Sequence, residues 1–107
     1  NYHFDSGTAT IRVSVIDGRA KVVNLRRDPR ASLHVSSEDG WHWVVAEGIA
    51  NLSPVATARD DATVEELIDL YRAIRGDHPD WVDYRRAMVE DKRLVLRLAV
   101  TRTYAQL

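Results

Sequence analysis

Two stretches of this chain alternate apolar and polar residues, and any fold it adopts has to pair them. Residues 8–16 place Ile11, Val13 and Val15 at every second position, and residues 93–103 do the same with Leu94, Leu96, Leu98 and Val100. In extended backbone a period of two puts those side chains on one face, so each stretch reads as a strand with one face toward a core. The strands are more than 70 residues apart in sequence. What lies between them therefore decides the fold class.

After the first strand, Asp17-Gly18 supplies a turn and residues 19–27 read as a short helix, with Val22, Val23 and Leu25 as its apolar positions. Asp28-Pro29 ends it, because the residue before proline avoids the α region. Residues 31–36 form the next strand, 37–40 a hairpin turn, and 41–52 a long strand in which Gly48 marks a bulge. Ser53-Pro54 opens a linker. Val64, Leu67, Ile68, Tyr71 and Ile74 then recur at helical spacing up to Gly76, a suitable C-cap. A second helix follows, with Asp77 or His78 as N-cap, Pro79 in its first turn and Trp81, Tyr84 and Met88 on one face. A tight hairpin combined with long helical excursions favours an α+β barrel over a doubly wound sheet.

Composition narrows the function classes. The chain has 107 residues, no cysteine, and 15 basic against 16 acidic side chains. Disulfides, thiolate metal sites and thiol nucleophiles are excluded, and a reducing, cytoplasmic setting is expected. No apolar run approaches the roughly 18 residues of a membrane helix, so no membrane partner is expected. Charge is balanced overall, and the single basic cluster lacks interleaved aromatics, which argues against nucleic acid. The sequence opens at Asn1 directly into strand-like residues, from which we expect one domain lacking its first strands.

The basic cluster is the main chemical feature. Arg19, Lys21, Arg26, Arg27 and Arg30 crowd one stretch opposed only by Asp28, and Lys21 is one of two lysines against thirteen arginines. Gly18, Arg19, Ala20 and Lys21 join a strand end to a helix start, where unpaired amides, the positive end of the helix dipole and two cations together suit a phosphate. A solvated basic face on a short helix is the alternative. Asp60, Asp61, Glu65 and Glu66 gather at another helix start, where carboxylates favour the dipole, and read as a solvated N-terminus. His3, His34, His42 and His78 lack metal-ligand spacing, so no metal is expected. Ser14 and Ser32 lack a nucleophile elbow, which argues against a hydrolase.

From Ser14 the run Ser-Val-Ile-Asp-Gly-Arg-Ala-Lys-Val-Val-Asn-Leu-Arg-Arg-Asp-Pro-Arg-Ala-Ser-Leu resembles the cofactor-binding stretch of the pyridoxamine-5'-phosphate-oxidase-like split β-barrel family. The continuation Gly-Trp-His-Trp-Val-Val-Ala-Glu-Gly-Ile-Ala from Gly40, and the two helices with Leu-Tyr-Arg from Leu70 and Asp-Trp-Val-Asp-Tyr-Arg from Asp80, are similar to its F420-dependent flavin/deazaflavin oxidoreductase branch. The resemblance implies an FMN-binding type split β-barrel with peripheral helices, a homodimer with a cofactor cleft at each end of its interface, and coenzyme F420, or alternatively FMN, as cofactor. It implies that Gly18, Arg19, Ala20 and Lys21 take the phosphate with Asn24 one turn on. Ser14, Val15 and Ile16 would then line the ring system, and Trp41 and Trp43 would come from the cleft wall or the partner chain. The implied activity is hydride transfer to an unsaturated small-molecule substrate; a non-catalytic F420 carrier and an FMN-dependent oxidase are the alternatives. Ala20 separates the two basic residues that the oxidases carry side by side, and their Arg-Leu-x-Pro motif is absent at Arg97-Leu-Ala-Val.

Overall fold

A computed structural model describes residues 2–37 and 39–106. Five strands and three helices follow in the order β1 (His3–Asp5), β2 (Thr10–Ile16), α1 (Ala20–Arg27), β3 (Arg30–Ser36), β4 (Trp43–Leu52), α2 (Ala62–Arg75), α3 (Trp81–Glu90) and β5 (Arg93–Gln106). The fold is α+β. All strands join one antiparallel sheet in the order β1-β2-β5-β4-β3. The two alternating runs therefore pair with each other, Ile11 opposite Leu98, Val13 opposite Leu96 and Val15 opposite Leu94. Among the described residues no ladder joins β1 to β3, the two edges.

The central strand β5 is buried on both faces. Leu96 and Leu98 pack with Ile11, Ala46 and Ala50 on the first face, where Leu25 of α1 also lies. On the second face Val95 packs under α2 and α3 with Ala56, Val64, Leu67, Ile68, Tyr84 and Met88. Leu67, Leu94, Val22, Val64 and Val95 are fully buried, each contributing roughly 1.5–3 kcal/mol of hydrophobic stabilisation. The layers are thus α1, sheet, and the α2–α3 pair.

Local chemistry explains several departures from the sequence reading. The strand expected from residue 41 starts at Trp43, because the Asp39 carboxylate accepts the Trp41 amide at 2.9 Å and the Ser37 hydroxyl at 2.5 Å, holding the chain in a turn. Glu38 of that turn, like Asn1, lies outside the described residues. The bulge falls between Glu47 and Gly48, but the extra residue is Thr101, on β5. Gly48 is needed there because a Cβ would stand 2.0 Å from the Ala99 carbonyl oxygen. Ser53 does not open a loose linker. It is buried, donates its amide to the Val95 carbonyl at 2.9 Å, and its hydroxyl accepts the Val95 amide at 2.8 Å. The N-cap of α3 is Asp80, not Asp77 or His78; its carboxylate accepts the Asp83 amide while its own amide donates to Nδ1 of His78. Val23 points to solvent, leaving Val22 and Leu25 as the packed face of α1. The three-residue β1 was too short to leave an alternating signal.

Candidate functional site

Helix α1 begins differently from the other two. Asp61 caps α2, its Oδ1 accepting the Val64 amide at 2.8 Å and its Oδ2 the amides of Thr57 and Ala58 at 2.8 and 3.1 Å. Burial works to raise the Asp61 pKa, but those amides outweigh it and hold the carboxyl below its usual range. Asp80 caps α3 in the same manner. At α1 the N-cap is Arg19, which offers no side-chain acceptor, and no acidic residue occupies the first turn. The donors at the positive end of that helix are left uncapped, beside two cations.

Gly18 sets up this start. Its φ of 82° is in the left-handed region, and the space where a Cβ would stand is open. Arg19, Ala20 and Lys21 are exposed. Arg19 and Lys21 border a depression of about 310 Å³ with Val15, Ile16, Val22 and Arg93. Lys21 also borders a second hollow of about 270 Å³ on the first sheet face, where Asn24 joins it. The expectation that Lys21 and Asn24 share a helix face is met. The neighbouring carboxylates are engaged elsewhere. Asp17 pairs with Arg26 at 2.6 Å, whose hydrogen bond lowers its pKa. Asp28 forms a forked pair with Arg30, which lowers its pKa to about 2. Neither Arg19 nor Lys21 pairs with a carboxylate among the described residues.

The other expected residues are placed as follows. Ser14 and Ile16 share one register phase of β2 and Val15 the other, so their side chains lie on opposite sheet faces. β1 pairs only with Thr10, Ile11 and Arg12, so the β1-side backbone edge of Ser14, Val15 and Ile16 carries no ladder among the described residues. Trp43 is half-buried edge-to-face against His34, with ring centroids 6.2 Å apart, and Trp41 is 71% exposed. Both tryptophans stand at the far end of the sheet. Trp43 pairs with Gln106 and Ile16 with Arg93, so the 14 residues of β5, on the order of 40 Å of extended chain, separate them from the α1 start within one subunit.

The sequence reading missed Arg93. It begins β5 on the second sheet face, its Nη1 is 3.4 Å from the Ser14 hydroxyl, and it borders the Arg19–Lys21 depression. A signal was available: in residues 93–97 Leu94 and Leu96 share one face of the strand, which puts Arg93, Val95 and Arg97 on the other. The acidic group at the α2 start also divides. Asp61 is the cap, whereas Glu66, read as part of a solvated terminus, is held by Arg97 and lies near Arg12.

Among the described residues no helix is long and apolar enough to cross a membrane. No protein-family model matches the chain. Among solved structures, the crystal structure of conserved hypothetical protein Rv2991 from Mycobacterium tuberculosis matches with a TM-score of 0.67 at 24% sequence identity, over 98% of this chain and 64% of that one. The chain thus spans about two-thirds of the length of the protein it matches. In fold, this five-stranded antiparallel sheet with three helices is similar to Rv2991.

Proposed function

We propose that this chain belongs to a split β-barrel oxidoreductase that holds a phosphate-bearing redox cofactor, coenzyme F420 in preference to FMN, at the start of α1. The observation that carries this reading is the uncapped helix start at Arg19, beside the unpaired Arg19 and Lys21, in a chain whose other two helices are capped by aspartate. An anion there would meet amide donors and two cations, with the nearby carboxylates of Asp17 and Asp28 paired to Arg26 and Arg30. The unladdered edge of Ser14, Val15 and Ile16 runs from this point and offers backbone donors and acceptors to a planar ring system. A bound deazaflavin supplies the hydride, and the protein supplies position and charge. Lys21 and Arg19 would fix the phosphate, Asn24 would extend the polar face, and Val15, Ile16 and Val22 would exclude water from one side. An unsaturated small molecule is the acceptor this chemistry suits.

A homodimer is part of the proposal. Trp41 and Trp43 are too far from Lys21 to share its cleft within one subunit, whereas a second copy could bring them to it. An F420 carrier is the second reading, favoured by one feature: among the described residues the depression at Arg19 and Lys21 is lined by no carboxyl, tyrosine or histidine that could protonate a substrate. Titrating the protein with F420 and with FMN, followed by fluorescence, tests the site. Reoxidation of reduced F420 by a panel of α,β-unsaturated and quinone-like acceptors then separates reductase from carrier. Binding of neither cofactor overturns the reading, and binding without accelerated reoxidation of F420 favours the carrier.

A further inference from the structure

Between the second face of the sheet and the α2–α3 pair lies a cavity of about 320 Å³, at the small end of the range for small-molecule sites. Tyr71, Tyr84 and Met88 give it an aromatic and apolar wall, and Ser14, Arg75 and Arg93 supply its polar lining. Among the described residues no acidic side chain lines it.

Arg93 is unusual among the arginines of this protein. Seven of the thirteen arginines stand within ion-pair distance of a carboxylate; among the described residues Arg19, Arg27, Arg59, Arg75, Arg93 and Arg102 do not, and of these Arg93 alone has a buried guanidinium nitrogen without a hydrogen-bond partner. Among the described residues the Nε of Arg93 is buried with no hydrogen-bond partner, and the only bond its guanidinium makes is the long one from Nη1 to Ser14. A buried, charged donor without an acceptor is costly and calls for an explanation. The Tyr84 hydroxyl, on the wall of the same cavity, donates to the Leu67 carbonyl at 3.0 Å and does not accept from the Arg93 Nε. A planar guanidinium with free donors matches a carboxylate in forked geometry, and the adjoining tyrosine faces and Met88 suit a flat apolar body.

We propose that this cavity binds an organic carboxylate with an aromatic body, its carboxylate held by Arg93 with Arg75 at the exposed side and its ring against Tyr71 and Tyr84. Arg93 borders both this cavity and the depression at Arg19 and Lys21, but neither Arg19 nor Lys21 lines the cavity, and the inference does not depend on the redox reading.

The probe is sodium cinnamate, titrated by calorimetry into the protein without added cofactor, with cinnamamide as the uncharged match and inorganic phosphate as the bodiless anion. Cinnamate should bind, cinnamamide at least about tenfold more weakly, and phosphate should not displace cinnamate at equal concentration. Arg93→Gln should weaken cinnamate about tenfold or more, and the exposed Arg75→Gln about threefold; each variant's thermal unfolding is recorded to show that it is folded. Lys21→Ala should leave cinnamate affinity within twofold. No cinnamate binding, equal affinity for the amide, displacement by phosphate, or indifference to Arg75→Gln would each overturn the proposal. So would a loss in Lys21→Ala as large as in Arg93→Gln, since cinnamate would then be sitting at the helix start. Cofactor titrations of the same Lys21→Ala protein report separately on the redox reading.

Discussion

The Nε of Arg97 on β5 donates to both carboxylate oxygens of Glu66 on α2, at 3.1 and 3.0 Å. Arg12, from the neighbouring strand β2, stands 3.7 Å from the same carboxylate, and Nη1 of Arg97 reaches Asn51 of β4 at 2.8 Å. One acidic side chain on a helix therefore holds two strands of the sheet beneath it, and through Arg97 the cluster reaches a third. The side chains are largely shielded, with 20% exposure at Glu66 and 34% at Arg97. Glu66→Gln would leave two partly buried guanidinium groups facing a neutral amide. That should cost about 1–3 kcal/mol, between the values for exposed and for fully buried pairs. Urea unfolding measures it, and an unchanged midpoint would show that the cluster adds nothing to stability.

Gly48→Ala should be among the most damaging single-methyl additions in this protein. The new Cβ would meet backbone atoms of Ala99, with the carbonyl oxygen at 2.0 Å, and no side-chain rotation can relieve that contact. The β4–β5 ladder would have to part beside its bulge, for a loss of about 2–4 kcal/mol. A thermal melt within 2 °C or so of the parent would contradict the geometry.

Lys21→Ala should weaken F420 or FMN binding about 10- to 150-fold, the range for one charge-assisted hydrogen bond. Arg19→Ala should cost less, because water can replace part of its fork and the helix amides remain. Equal affinity in parent and Lys21 variant would move the phosphate away from α1.

Asp28 provides a check on pH dependence. Hydrogen bonds from the Arg30 side chain, then from the Arg30 amide, lower its pKa from 3.8 to about 2. A folded pKa below the unfolded value stabilises the fold fully above about pH 4, and that contribution is lost as pH falls through about 2. Carboxyl carbon chemical shifts should show a midpoint near 2 for Asp28, rising toward 3.8 in Arg30→Gln. A midpoint near 3.8 in the parent would mean that the fork does not persist in solution.

A dimer should persist at micromolar concentration, since Tyr2, Phe4, Val44, Ile49 and Tyr104 leave large apolar side chains exposed on the sheet. Light scattering that returns a monomer mass would remove the shared-cleft role proposed for Trp41 and Trp43.

The alternation in residues 8–16 and 93–103, the hairpin turn at 37–40 between two strands, the helical spacing from Val64 to Ile74 and of Trp81, Tyr84 and Met88, and the breaking power of Asp28-Pro29 were enough to read the elements of the fold other than the three-residue β1. Each of these signals is local, generated within one turn of helix or a few strand residues. The basic helix start at Arg19 and Lys21 was legible for the same reason: it is a run of adjacent residues whose amides, dipole and charges reinforce one another wherever the chain goes.

What the sequence determined by itself is therefore the set of elements apart from β1, one apolar face for each of the longer ones and the basic run at a helix start; it did not show that β5 is buried on both faces or that Val23 turns to solvent. Pairing across the fold was decided only by tertiary structure. Glu66 reads as one more carboxylate at a helix start until α2 is laid over β5, 31 residues further along the chain, and Arg97 arrives beneath it. Arg93 reads as one arginine in thirteen until the fold brings it to the hydroxyl of Ser14, 79 residues earlier, and among the described residues no carboxylate pairs with it. Whether a charge ends up paired, buried or waiting for a ligand depends on which helix face packs on which strand. That is fixed by the sum of many apolar contacts, not by any short run of residues.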